Sequence, residues 1–476
     1  LTLADELPFL TIRELGSRLR RGALSSEELV RAAITRTERL EPRLHSYITF
    51  TPERALEAAR AADDERRRGV DRGPLHGLPV SLKDHIDVAG VPTTAGAKLL
   101  ADRIPDTDAM VVKRLREAGA IVMGKANMNQ FAGGDSGWNP DYGKMANPRF
   151  PDYSVGGSSG GSGSQVAAGL VALSIGSDNG GSIRIPASLC GVVGLKPTFG
   201  RVSMDGVAPR SLTSDHLGPI ARTVDDVAIA LGVIGGHVPG SQSTARRPMP
   251  DLDAGAGEVN GLRIGVDRQY CQVGEPAVLK GFAAALQTFE SLGATVHDVT
   301  MPDLAEVLRV GDLIFQPEVA VWFDSFAVTY AAALPAGLRA GWVGLGLAVT
   351  AVDYLRANQR RREMQIAFGR SIRDVDVVML PSYFLARRPF PATGDDPIGG
   401  HPRIGSREST FDDALRYGIP FDFFGLPALS LPCSLSAEGA AGLQIVGRAW
   451  DEARVLSVGR AYERVTDWHR SWPSLD

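Results

Sequence analysis

Two clusters of small residues mark places where a hydroxyl could react. Residues 156–164 read Gly-Gly-Ser-Ser-Gly-Gly-Ser-Gly-Ser, with no side chain larger than a hydroxymethyl group. Such a stretch lets the backbone approach another group closely and pass through positive φ without steric cost. A flexible linker of this composition would join solvated segments, yet apolar-patterned sequence flanks this one. A phosphate loop would need GxGxxG, or GxxxxGK followed by Ser or Thr, and neither pattern is present. Residues 157–161 do fit a nucleophile elbow, GxSxG, with Ser159 attacking. An elbow follows a strand, however, and Asn147–Ser154 just ahead holds two prolines. The second cluster, 177–186, reads SDNGGSIRIP. Two glycines before Ser182 expose backbone N–H groups beside its hydroxyl, as an oxyanion hole requires. Taken alone, the segment also fits a turn.

These groups need a rigid frame. Leu78–Leu82 and Ala120–Met123 are short apolar runs that read as buried strands, with a helix over Ala109–Ala118 between them. The alternation recurs as Leu262–Val266, Ala277–Leu292 and Thr295–Val299, with Pro276 placed at a helix start. Strand–helix–strand order predicts an α/β layer architecture. Residues 12–67 read as helices, one of them capped by Ser25 and Ser26 ahead of Glu27 and Glu28. The Gly/Ser stretch runs into Gln165–Ser174, predicted as a short helix. Gly240–Gly261 and Pro389–Ser409 are long, breaker-rich loops, and apolar Tyr330–Leu355 reads as helices on the sheet or against a pocket.

Composition removes several alternatives. The chain has 476 residues, 44% hydrophobic and 22% charged, with a net charge of −4 and no basic tail, so no general electrostatic pull toward nucleic acid or anionic membrane is expected. Cys190, Cys271 and Cys433 are too scattered for a disulfide framework or a structural zinc. They read as buried thiols in a reducing cytoplasm. The N-terminal residues lack the pattern of a signal peptide, and the longest apolar run, Ala340–Val352, is too short to span a bilayer.

Seven segments, in order, resemble the amidase signature family. They are GLPVSLKD (77–84), GKANMNQF (124–131), GGSSGG (156–161), GGSIRIP (180–186), GVVGLKPT (191–198), GLPALSLP (425–432) and GLQIVG (442–447). Ser158 and Ser182 are 24 residues apart, which is the family's own spacing. The resemblance implies one large domain over 1–476: a helical N-terminal segment to about 67, a signature core over about 75–235 and a C-terminal part over about 262–476. It implies a large mixed twisted β-sheet covered by helices on both faces.

The same resemblance implies a relay in which Ser182 is the nucleophile, Ser158, on a cis peptide, is the bridge and Lys83 is the terminal base. Ser159 is then not the nucleophile. Lys83 would have to be neutral, a fall of roughly three pKa units that burial can supply. Asp84 beside it would point to the opposite face of a strand. The backbone amides of Asn179, Gly180, Gly181 and Ser182 become the oxyanion donors, with Asp178 and Arg184 bracing the loop. Phe131, Gly133 and Gly134 are substrate-binding candidates. The relay needs no metal or organic cofactor. Gln130 and Asn179 depart from the frequent Glu and Thr of the family. The expected protein is a cytoplasmic monomer or homodimer that acts on a small-molecule amide, without nucleic-acid or membrane partners. Its substrates would be apolar or aryl amides, with ester or urethane hydrolysis accessible to the same relay. The alternatives are the amidase subunit of a glutamyl-tRNA(Gln) amidotransferase and an inactive binding protein on this fold.

Overall fold

The computed structural model describes residues 9–253, 257–330, 343–391, 403–404 and 407–475. Two N-terminal helices, α1 (Ile12–Arg20) and α2 (Ser26–Leu44), each begin in a capping box, Thr11 with Glu14 and Ser25 with Glu28. Each cap satisfies backbone donors that the first helical turn leaves open. α2 ends at His45, whose φ is 48°. The next residues form a strand, β1 (Tyr47–Phe50), before α3 (Pro52–Arg67). This strand interrupts the helix expected throughout 12–67. Tyr-Ile-Thr-Phe carries the aromatic and β-branched side chains that suit a pleated surface.

β1 opens an eleven-stranded sheet. The remaining strands are β2 (Pro79–Lys83), β3 (Ile121–Ala126), β4 (Leu173–Asp178), β5 (Val193–Lys196), β6 (His216–Ala221), β7 (Arg263–Val266), β8 (Thr295–Asp298), β9 (Val377–Pro381), β10 (Ala428–Ser436) and β11 (Gly439–Val446). Their spatial order is β1-β3-β2-β4-β6-β5-β10-β11-β9-β7-β8. β2 runs parallel to both β3 and β4, β7 pairs in parallel with β8 and β9, and the other pairs are antiparallel. The sheet is therefore mixed, with helices covering both faces. Val80, Leu82, Leu173 and Ile175 are fully buried on its central strands. Because β2 and β4 are parallel neighbours, Lys83 and Asp178 end them on the same edge, where open α/β sheets place their sites.

The helices that matter most are α4 (Met110–Glu117), α5 (Gly160–Ala167), α6 (Arg184–Cys190), α7 (Val224–Ile234), α8 (Pro276–Ser291), α9 (Leu304–Tyr330) and α10 (Ala351–Ser371). α4 and the β7–α8–β8 unit lie where the sequence predicts them. The helix expected over Gln165–Ser174 is displaced. It begins inside the glycines, stops before Gly169 (φ 67°), and is followed by the central strand β4. Close approach explains the shift: a Cβ on Gly161 would sit 2.4 Å from the Ser46 carbonyl and 2.5 Å from that of Asn127. Of the apolar Tyr330–Leu355 stretch, residues 331–342, with Trp342, lie outside the described residues. Among the described residues no helix is long and apolar enough to cross a membrane.

Candidate active site

Lys83, the last residue of β2, is fully buried. Its Nζ donates to Ser158 Oγ at 2.7 Å and to Ser177 Oγ at 2.9 Å. Burial pushes the Lys83 ammonium down to about 7, against the opposing pull of Asp178 and Asp215, while Arg210 adds to the fall. A lysine there is substantially neutral near physiological pH. Asp84 turns away, as alternation along a strand requires. Its carboxylate accepts from the Thr94 hydroxyl and amide and the Gly96 amide, and it pairs with buried Lys125 at 3.3 Å.

Ser158 lies just ahead of α5, and the Gly157–Ser158 peptide is cis. Its carbonyl accepts from the Asn129 amide at 3.2 Å. Ser159, the elbow candidate, is tied elsewhere. Its hydroxyl donates to the Ser177 carbonyl at 3.0 Å and accepts from the Ser177 amide at 3.2 Å. Its own amide donates to the Ser182 carbonyl at 3.2 Å. A hydroxyl engaged in both directions with the backbone of a buried strand is a fastener for the loop.

Ser182 stands in the turn between β4 and α6 and is partly exposed. Asp178 shapes that turn: Oδ1 accepts from the Gly181 amide at 2.6 Å and Oδ2 from the Ile183 amide at 2.9 Å. Gly181 adopts φ 114°, a conformation that excludes a side chain. The Gly181 hydrogen bond corrects the expected oxyanion set. That amide already serves Asp178, so Asn179, Gly180 and Ser182 remain as the donors that could face a reacting oxygen. The Asn179 side chain donates to buried Ser214 Oγ at 2.9 Å and Asp215 Oδ1 at 2.7 Å.

Arg184 holds Asp178 in a fork, Nε to Oδ2 at 2.9 Å and Nη2 to Oδ1 at 2.8 Å. It also reaches the C-terminal part of the chain, donating to Asp422 Oδ2 at 2.6 Å, Gln444 Oε1 at 2.7 Å and the Gly418 carbonyl at 3.1 Å. Burial alone would raise the Asp178 carboxyl, but Arg184 and the Ile183 amide hold it well below the carboxylate range. The loop is thus fixed by a buried ion pair that stays charged.

Phe131 has φ 52° and donates its amide to the Ala95 carbonyl at 2.8 Å. Its ring lies 5.0 Å from that of Phe323 and 5.9 Å from that of Trp322, both on α9. Gly133 and Gly134 follow it in the same loop, Gly133 donating to the Gln130 carbonyl at 2.9 Å and Gly134 at φ 80°. Gln130 turns to Asp141 Oδ2 at 2.7 Å. Two further aromatic residues do different work. Phe384 is buried against Tyr383, and Trp138 lies beneath the Lys144 ammonium.

Sequence reading missed three residues that the structure brings to this region. Ser177 is the second partner of Lys83, and its place one residue before Asp178 was the only clue. Asp215 accepts from the amides of Arg210 (2.6 Å) and Ser211 (2.9 Å) as well as from Asn179. Arg210 Nη1 donates to the Ala132 carbonyl at 2.7 Å. Neither sits in a motif, so only folding reveals them.

Comparison with known proteins adds to this geometry. The family profile described as Amidase matches residues 28–456. A glutamyl-tRNA(Gln) amidotransferase subunit from Chloroflexus aggregans is 37% identical, over 99% of each chain. Among solved structures, the native peptide amidase of Stenotrophomonas maltophilia is 31% identical with a TM-score of 0.82, covering 98% of each chain. A glutamyl-tRNA(Gln) amidotransferase subunit from Thermotoga maritima is 29% identical with a TM-score of 0.81, covering 98% of this chain and 96% of that one. These relatives overturn one expectation, that of a monomer or homodimer with a small-molecule amide and no nucleic-acid partner. The relative from Chloroflexus aggregans is by its name one subunit of an enzyme for glutamyl-tRNA(Gln). Weak overall charge was a poor guide, because it reports the average surface and says nothing of a specific interface. With its family profile over most of the chain and relatives matched nearly end to end, this chain belongs to the amidase family and is a hydrolase of amide C–N bonds.

Proposed function

We propose that this chain is the amide-hydrolysing subunit of a tRNA-dependent amidotransferase, releasing ammonia from glutamine through Ser182. The assembly is supported by 37% identity, over 99% of both chains, to a protein named as one part of such an enzyme. The chemistry is supported by one contact above all, the buried Lys83 Nζ 2.7 Å from Ser158 Oγ. Ser182 Oγ attacks the amide carbon while Ser158 takes its proton and passes its own to neutral Lys83. The oxygen that gains charge is met by the amides of Asn179, Gly180 and Ser182, each worth roughly 3–4 kcal/mol of barrier. When the C–N bond breaks, the proton stored on Lys83 returns through Ser158 to the departing nitrogen. Water then repeats the sequence on the acyl-enzyme.

A second reading is favoured by the Phe131–Trp322–Phe323 cluster beside the loop: hydrolysis of apolar or aryl amides, with esters and urethanes open to the same attack. One assay separates them. The purified chain, alone and co-expressed with partner subunits, is given glutamine and an aryl anilide. Ammonia from glutamine supports the amidotransferase reading, and strong anilide turnover without glutaminase activity in either preparation removes it. Ser182→Ala should lower either activity by roughly 10⁴-fold or more while leaving the unfolding midpoint in place. Retained turnover would show that another residue is the nucleophile.

A further inference from the structure

The segment 210–215 is fastened on three sides. Asp215 binds the Asn179 side chain at the start of the Ser182 turn. Thr213 donates its hydroxyl to buried Glu318 of α9 at 2.8 Å, and Tyr354 of α10 donates to the same carboxylate at 2.9 Å. Arg210 donates to the Ala132 carbonyl, next to Phe131. Arg210 therefore bridges the proposed nucleophile loop and the aromatic wall. It is partly exposed, and its charge is felt at Lys83. Beside the Ala132 carbonyl lies an apolar cluster of Ala95, Ala97, Phe131, Val319 and Phe323, with Trp322 packed on it, while the Asp215 carboxylate acts on the guanidinium from its own segment. A guanidinium anchored through Nη1 beside an apolar wall is suited to a carboxylate.

We propose that Arg210 is a specificity-determining residue that pairs with a carboxylate carried by the acyl part of the substrate. The inference rests on the amide-hydrolase reading above and narrows it to ω-amides of carboxylic acids, the class to which glutamine belongs. It asks nothing of Arg210 in the bond-breaking step.

The test uses the full chain with three amides: butyramide, glutaramate (the monoamide of glutaric acid) and L-glutamine. Wild-type kcat/KM should favour glutaramate over butyramide by about tenfold or more, the effect of a hydrogen bond to a charged group. In Arg210→Gln that ratio should collapse, with the loss carried by KM for glutaramate, and Arg210→Lys should restore part of it. Removing this cation should also move the acid limb of the pH profile upward, so rates are compared above the limb. A purely structural role would lower turnover of all three amides alike and leave the ratio untouched. An unchanged ratio in Arg210→Gln, or a wild-type preference for butyramide, overturns the inference while the amidase reading stands. Failure to hydrolyse any of the three, by the chain alone and co-expressed with partner subunits, removes the inference together with the glutaminase reading.

Discussion

A lysine accepts a proton only when it is neutral, and burial brings Lys83 to about 7. If it is the base, kcat/KM rises with pH through an acid limb near that value, because the protonated form below it cannot take the Ser158 proton. A profile flat from pH 5.5 to 8.5 would exclude Lys83 from the relay. Lys83→Arg keeps the charge but stays protonated at every accessible pH. It should lose at least a hundredfold in kcat, within the usual span of general-base catalysis at about 10²–10⁴. Ser177→Ala removes an acceptor that favours the charged ammonium. The limb should then move to lower pH, and kcat should fall by roughly tenfold or less, the scale of one hydrogen bond. At this scale the sequence was partly legible. Ser182 declares itself through its glycines. The choice of Ser158 over Ser159 needed the family spacing, because both hydroxyls have the same local chemistry and differ only in what the fold puts beside them. Ser177 and Arg210 act through partners distant in sequence, 94 residues away for Lys83 and 78 for Ala132, so no local pattern marks them.

Between residue and fold stand the short elements that aim these groups. α5 reaches the backbone of Asn127, just after β3, and of Ser46, just before β1, because Gly161 has no side chain. Gly161→Ala would drive a methyl group into the Ser46 and Asn127 carbonyls at 2.4 and 2.5 Å. We expect a loss of about 1–3 kcal/mol or more, the range for overpacking, read as a lower denaturant midpoint. An unchanged midpoint would mean that α5 can slide without cost. The same close approach explains why the helix was misplaced in the sequence. Propensity argues against glycine in a helix and steers a reader to Gln165, whereas packing against backbone selects glycine at the buried turn. β1 was legible in retrospect, since Tyr-Ile-Thr-Phe is strand-like. Its short length and flanking helical patterns hid it.

Arg184 joins the Ser182 turn to the C-terminal part of the chain. It binds Asp178 at the Ser182 turn and, 238 residues later, Asp422. Arg184→Met should strand two buried carboxylates and cost about 3–5 kcal/mol, measured by urea unfolding. A cost below about 1 kcal/mol would be no more than a surface ion pair contributes, and the bridge would then be incidental. The broad architecture was the most legible level, because alternating apolar runs and helical patterns already demand layers. Strand order was not, since β5 pairs with β10 across nearly half the chain. That long reach has a consequence in time. Lys83, Ser158 and Ser182 leave the ribosome well before Asp422, Gln444 and the strands β10 and β11 that join the two halves of the sheet. At roughly 5–20 residues per second, the interval is on the order of ten to fifty seconds. A nascent chain thus carries every proposed reacting group and none of its C-terminal braces. Until Asp422 and Gln444 emerge, Arg184 has only Asp178 as its buried side-chain partner, and the Ser182 turn lacks its C-terminal anchor.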